Sequence, residues 1–160
     1  MDISVAHVAA LRELVAAMPP EEHKWAVTGS AGLRLQGVPV DVHDLDVQTG
    51  RAAAEFLVER IADRVRTQLH HRRSKAIRAW FAVLDLAGVT VEVMAEISKR
   101  LPNGSWERPI DVAAVRSWVE VAGLRVPVVD LAHEANAYEI LGRAEKVALI
   151  RRVLAGPRSS

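Results

Sequence analysis

The side chains in this sequence with the types and spacing for chemistry lie mostly between Trp25 and Gln48. Gly29-Ser30 follows a short apolar run, Trp25–Thr28, and passes directly into a helical turn from Ala31 to Gln36. A glycine beside a serine at a helix start leaves backbone N–H groups and a hydroxyl pointing outward, where they can hold an anion such as phosphate. Downstream, Val42–Val47 reads as a strand, with Val42, Leu45 and Val47 interleaved with polar residues. Asp44 and Asp46 then project from one face, about 7 Å apart given a rise of roughly 3.3 Å per residue. That separation lets two carboxylates converge on a pair of metal ions about 4 Å apart. Taken alone, an Asp-x-Asp is more often a solvated strand face, and the phosphate-type turn upstream is what favours chemistry.

Glu92 is a third acidic candidate. Within Val89–Ala95 it shares a face with Thr90 and Met94, in a strand otherwise built for burial. An ionised carboxylate there is costly unless something pairs with it, which suggests a metal ligand or a base; the alternative is a solvated sheet face. Arg34 follows Ser30 by one helical turn and can reach toward a phosphate, or it faces solvent. The basic run His70–Lys75 reads as a solvated connection, or as a phosphate contact for a nucleotide or RNA if the fold carries it close to the carboxylates. The six histidines show no His-x-x-x-His or His-Glu-x-x-His spacing, so a zinc site is not expected. Of the four tryptophans, Trp106 stands out because it lies in a Pro/Gly-rich loop where it could stack on a base or an acceptor ring.

The elements that must position these residues follow from periodicity. Apolar residues at steps of three and four predict a helix over Ile3–Met18, ended by Pro19-Pro20, and another over Arg51–Arg66. Ile77–Leu86 and Val89–Ala95 read as a hairpin around Ala87-Gly88, and Ser98–Pro109 as a loop. Two short strands, Ser117–Val121 and Leu124–Val128, precede a helix over Leu131–Leu141 capped by Asp130. Gly142 stops that helix, Arg143–Leu154 forms the last one, and residues 156–160 should fray.

At 160 residues, half of them apolar and a quarter charged, the chain fits one soluble globular domain. Its expected organisation is an N-terminal helix over 1–20, a catalytic core over 25–95, a C-terminal helix pair over 130–154 and the tail. A net charge of +1 argues neither for nor against nucleic acid, and the lack of cysteine excludes disulfides and thiolate zinc sites. The first twenty residues lack the pattern of a secretory signal, and no run of eighteen apolar residues exists, so a cytoplasmic protein without membrane contact is expected.

Gly29-Ser30, then Asp44-Leu45-Asp46, then Glu92 in a strand together resemble the pattern of the nucleotidyltransferase superfamily with a DNA polymerase beta-type catalytic domain. The short single-domain prokaryotic members are most similar. Their later segments resemble Ile97–Pro109 and the run from His133-Glu134 to Gly142–Lys146, so the likeness spans roughly residues 25 to 154. It implies an α+β fold, a mixed β-sheet flanked by helices. It also implies an enzyme that transfers a nucleotidyl group, adenylyl from ATP or another nucleoside triphosphate, to a hydroxyl of a small molecule or protein.

On this resemblance Gly29 and Ser30 hold the β- and γ-phosphates, Asp44 and Asp46 ligate two Mg²⁺ ions (or Mn²⁺), and Glu92 is the third carboxylate. Glu92 replaces the commoner aspartate and is either a ligand of the metal nearer the acceptor or the general base. Arg34 and Lys146 are the basic residues expected at the triphosphate. RNA is the least supported acceptor, because no clear basic footprint is visible. The rival reading is the antitoxin half of a toxin–antitoxin pair, binding a small helical toxin with or without retained activity. Size alone favours a homodimer, since no second domain walls the acceptor pocket.

Overall fold

The computed structural model describes residues 3–156. Its centre is a seven-stranded mixed sheet in the order β3-β4-β5-β2-β1-β7-β6. The strands are β1 Trp25–Thr28, β2 Leu45–Thr49, β3 Val65–Arg73, β4 Ile77–Leu86, β5 Val89–Lys99, β6 Arg116–Val121 and β7 Leu124–Val129. β2 runs parallel to β5, and β1 parallel to β7; the other neighbours are antiparallel. The helices are α1 Val5–Ala17, α2 Gly29–Leu35, α3 Arg51–Arg60, α4 Val112–Val115, α5 Leu131–Ile140 and α6 Ala144–Ala155. This is the expected α+β architecture of a mixed sheet flanked by helices.

Helix α1 begins where Ser4 accepts a hydrogen bond from the His7 N–H at 3.1 Å, which satisfies one of the free donors of its first turn. Its inner residues Leu11 and Leu14 are fully buried with Leu57 of α3 and with Val47, Leu84 and Val91 of the sheet. Each such side chain contributes roughly 2 kcal/mol of burial. Trp25 is also fully buried, and its indole N–H donates to the Met18 carbonyl at 2.7 Å, so the end of α1 is tied to the start of β1. A second apolar cluster joins Leu33 of α2 and Val38 to Leu131 of α5 and Ile150 of α6.

Register decides which residues meet. Thr28 lies opposite Asp46, Asp46 opposite Glu92, and Glu92 opposite Val83. One pleat along, Gln48 lies opposite Met94, Met94 opposite Phe81, and Phe81 opposite His70. Because residues two apart share a face, these two rows line a single face of the sheet across β1, β2, β5, β4 and β3.

Several boundaries differ from the sequence reading. The helix expected over Arg51–Arg66 ends at Arg60, a short tight turn spans Ala62–Arg64, and β3 follows. The basic run is therefore not a simple connection: His70–Arg73 completes an edge strand, and only Ser74–Ala76 turns into β4. The strand expected over Val42–Val47 is shifted to Leu45–Thr49, so Asp44 precedes it. β5 continues through Ser98 and Lys99 because both pair with β4, opposite Arg78 and Ile77. The tight turns at Ala87-Gly88 and Ala122-Gly123 stand as read, with both residues of each at positive φ as two-residue hairpin turns require. Of the fraying tail, residues 157–160 lie outside the described residues. Among the described residues no helix is long and apolar enough to cross a membrane.

Candidate active site

Gly29 opens α2 at φ +64°, a conformation that other residues adopt only under strain. A Cβ at this position would overlap Asp46 Oδ2 and stand 3.2 Å from its Cγ. The turn and the carboxylate of β2 are therefore packed directly against each other. Ser30 follows in the first turn of α2, half-buried.

Asp46 is half-buried, and its carboxyl is pushed up to about 7, by burial first, then by the charge of Glu92 and a hydrogen bond with it, then by Asp44. Its Oδ1 is buried and has no hydrogen-bond partner; the same holds for Oε1 of Gln48 two residues on. Asp44 sits exposed just before β2, and Glu92 is half-buried on β5.

Among the described residues no three acidic or histidine side chains form a ready-made metal cage. Mg²⁺ does not need one, since it commonly takes one or two carboxylates and completes its shell with water and substrate phosphates. An unpaired buried carboxylate oxygen, hard-oxygen donors and a neighbouring like charge are the features such a cation would relieve, so these residues fit it.

The turn is held from below by α5. Glu134 is almost completely buried, and the Thr28 hydroxyl lies 3.0 Å from each of its carboxylate oxygens. Gln48 donates to the same hydroxyl at 3.2 Å. Burial drives the Glu134 carboxyl up to about 7, against the hydrogen bonds from Thr28 and the Gly29 backbone. Nearby, buried Lys99 pairs with half-buried Glu107 at 2.7 Å, and Glu107 also accepts from the Lys99 N–H at 3.0 Å. Thr28, Gly29, Asp46, Lys99, Glu134 and Tyr138 line one cavity of about 140 Å³. Larger surface hollows near Arg64 and near Arg151, of about 410 and 500 Å³, touch none of Asp44, Asp46, Glu92 and Glu134.

The structure thus brings Gly29, Asp46 and Glu92 together and places Asp44 close enough to raise the Asp46 pKa. Two of the basic candidates sit elsewhere. Arg34 donates to the Val40 carbonyl at 3.3 Å and lines a separate hollow with His7 and Asp41. Lys146 is half-buried in the first turn of α6 and is not among the residues lining the carboxylate cavity. Periodicity alone singled out neither Glu134 nor Thr28. Glu134 reads locally as an acid in the first turn of a helix, and only the packing of α5 on β1 brings it to the site.

The family model of the aminoglycoside-2''-adenylyltransferases matches residues 10–150. The chain belongs to that family. It is a nucleotidyltransferase, and its fold is shared by solved relatives. A Thermotoga maritima protein classed as a nucleotidyltransferase is 36% identical, with a TM-score of 0.82 over 96% of this chain and 95% of that one. The lincosamide antibiotic adenylyltransferase LnuA, in its lincomycin-bound form, matches in fold alone: TM-score 0.59 at 8% identity, over 96% and 99% of the two chains. No curated protein matches the chain in sequence.

Proposed function

We propose that this nucleotidyltransferase transfers the adenylyl group of ATP to a hydroxyl of its acceptor, with Asp44, Asp46 and Glu92 as the reacting centre. The observation that carries this reading is the register that sets Asp46 directly opposite Glu92 while packing it against the Gly29 turn. Gly29 and Ser30 hold the pyrophosphate portion at the start of α2. The acceptor oxygen bonds to the α-phosphorus, the bond from that phosphorus to the bridging oxygen breaks, and pyrophosphate leaves. Glu92, half-buried beside the reacting centre, takes the proton from the acceptor hydroxyl. Asp44 and Asp46 would hold Mg²⁺, or Mn²⁺, and such ions supply neutralisation of the phosphate charge. Glu134 and Thr28 keep the Gly29 turn in place, and Lys99 adds a cation to the cavity wall. The two basic residues expected at the triphosphate, Arg34 and Lys146, have less structural support than Lys99 for that role.

Calorimetric titration of ATP and a non-hydrolysable analogue, with and without Mg²⁺, tests the reading on wild type and the Asp44→Ala/Asp46→Ala variant. Metal-dependent binding that disappears in the variant is expected. Wild type that binds no nucleoside triphosphate under any metal condition would sink it.

A further inference from the structure

The carboxylate cavity adjoins a second hollow of about 190 Å³, and the two share Ile77 and Met94 as a common wall. The far side of this second hollow is formed by Arg72, Arg73 and Phe81. The Arg72 guanidinium lies over the Phe81 ring at 4.4 Å, and His70 meets the same ring edge-on at 6.0 Å. A guanidinium lying on a ring keeps its in-plane N–H donors directed outward, ready for a bidentate oxyanion. Among the described residues, neither Arg72 nor Arg73 is in an ion pair with a carboxylate. Arg73 also stands 5.6 Å from the Trp106 ring, where Arg78 at 4.7 Å and Arg100 at 6.0 Å gather as well. A chain with a net charge of +1 thus concentrates cations at one end of β3 and β4. On the neighbouring strand β5 Glu96 is exposed, and Glu107 is already paired with Lys99.

We propose that this hollow is the acceptor subsite and that the acceptor carries a phosphate, held by Arg72 while its hydroxyl lies beside Glu92. The inference rests on the adenylyl-transfer reading above, because direction decides it. In-line displacement puts the attacking oxygen opposite the leaving pyrophosphate. With pyrophosphate at Gly29 on the β1 side of Asp46, the acceptor enters from the β5 side, and along that side the face runs through Met94 and Phe81 to Arg72. Two strand spacings and four residues of β4 separate the Glu92 and Arg72 backbones, roughly 16 Å, a gap that the arginine side chain shortens. The ligand that fits is a molecule with a phosphate at one end and a hydroxyl at the other, either a free nucleotide or the end of a short oligonucleotide. A polycationic aminoglycoside, the acceptor in the family's name, would meet repulsion at Arg72.

The test uses four probes: a nucleoside monophosphate, a 5′-phosphorylated diribonucleotide, the same dimer without its 5′-phosphate, and tobramycin. Each is titrated against wild type, Arg72→Ala and Arg72→Lys, with ATP titrated separately. The 5′-phosphorylated probes are expected to bind wild type at least ~10-fold tighter than the dephosphorylated dimer. The alanine variant loses that preference with ATP affinity unchanged, and the lysine variant keeps part of it. Tight binding of the monophosphate identifies a free nucleotide as the acceptor class, and preference for the dimer identifies an oligonucleotide end. The proposal is overturned by equal binding of the dimers with and without 5′-phosphate, by a preference that survives in the alanine variant, or by adenylylation of tobramycin with KM unaffected by it. Failure of ATP itself to bind brings down the transfer reading instead, and the separate ATP titration tells the two failures apart. Arg72 is exposed, so the variants keep the fold.

Discussion

Glu134 and Thr28 are 106 residues apart in the chain and in direct contact in the interior, with the Thr28 hydroxyl 3.0 Å from both carboxylate oxygens. Burial raises the Glu134 carboxyl from 4.5 to about 7. Between those values the folded protein holds a proton that the unfolded chain has released, so stability falls as pH rises from about 4.5 to about 7 and levels off above. The contribution is on the order of 3 kcal/mol. Glu134→Gln keeps an acceptor for Thr28 without the charge. Urea denaturation at pH 5 and 7.5 should show a clearly smaller pH slope in the variant, with the remainder, of the same sign, coming from Asp46. An unchanged slope would remove Glu134 as its source.

Gly29→Ala combines two costs. A side chain at positive φ costs about 1–2 kcal/mol. Its Cβ must also displace the Asp46 carboxylate. The expected result is a modest fall in Tm with a much larger loss of transfer activity, whereas an alanine variant with full activity would show that the turn and Asp46 need not pack this way.

Asp46→Asn keeps the shape of the side chain and removes its charge. We expect a fall in kcat of ~10³-fold or more, comparable to deleting a main electrostatic contact in a transition state. The metal readout is independent of turnover: Mg²⁺ with ATP should raise Tm in wild type and not in the variant. A variant stabilised as strongly as wild type would exclude Asp46 as a ligand.

Removing Glu107 leaves the buried Lys99 charge alone, whereas removing Lys99 leaves the half-buried Glu107. Glu107→Ala should cost about 3 kcal/mol and Lys99→Ala less, while the double replacement Lys99→Met/Glu107→Leu should cost much less than the sum. A double-mutant cycle by chemical denaturation measures the coupling. Additive costs would mean that the two side chains act independently.

The turn and the acidic pair were visible in the residues because both rest on local geometry: glycine at a strand–helix junction, and carboxylates two apart before and within a strand. The misread segment, Arg51–Arg66, shows the limit. Phe56, Leu57, Ile61 and Val65 continue a helical spacing, but Val65, Thr67 and Leu69 also begin the period-two pattern of β3. That strand lies at the sheet edge with one face largely wet, so His70–Arg73 carries no burial signal. Likewise Gln48 and Thr49 look like a strand's end, yet they are buried, because β2 is flanked by β1 and β5 and the polar groups find Thr28 and the Lys24 carbonyl.

Sequence alone determined the parts that depend on neighbours along the chain: the Gly29-Ser30 turn, the hairpin turns, the capped helices and the alternation that turns Asp46 and Glu92 away from the core. Tertiary structure decided what those parts face. Insertion of β2 between β1 and β5 set Asp46 against both Gly29 and Glu92, the packing of α5 brought Glu134 under the turn, and the β3–β4 pairing placed Arg72 on the carboxylate face. Such pairings join residues far apart in the chain, and their register is selected by burial of the whole sheet rather than by any short window of sequence.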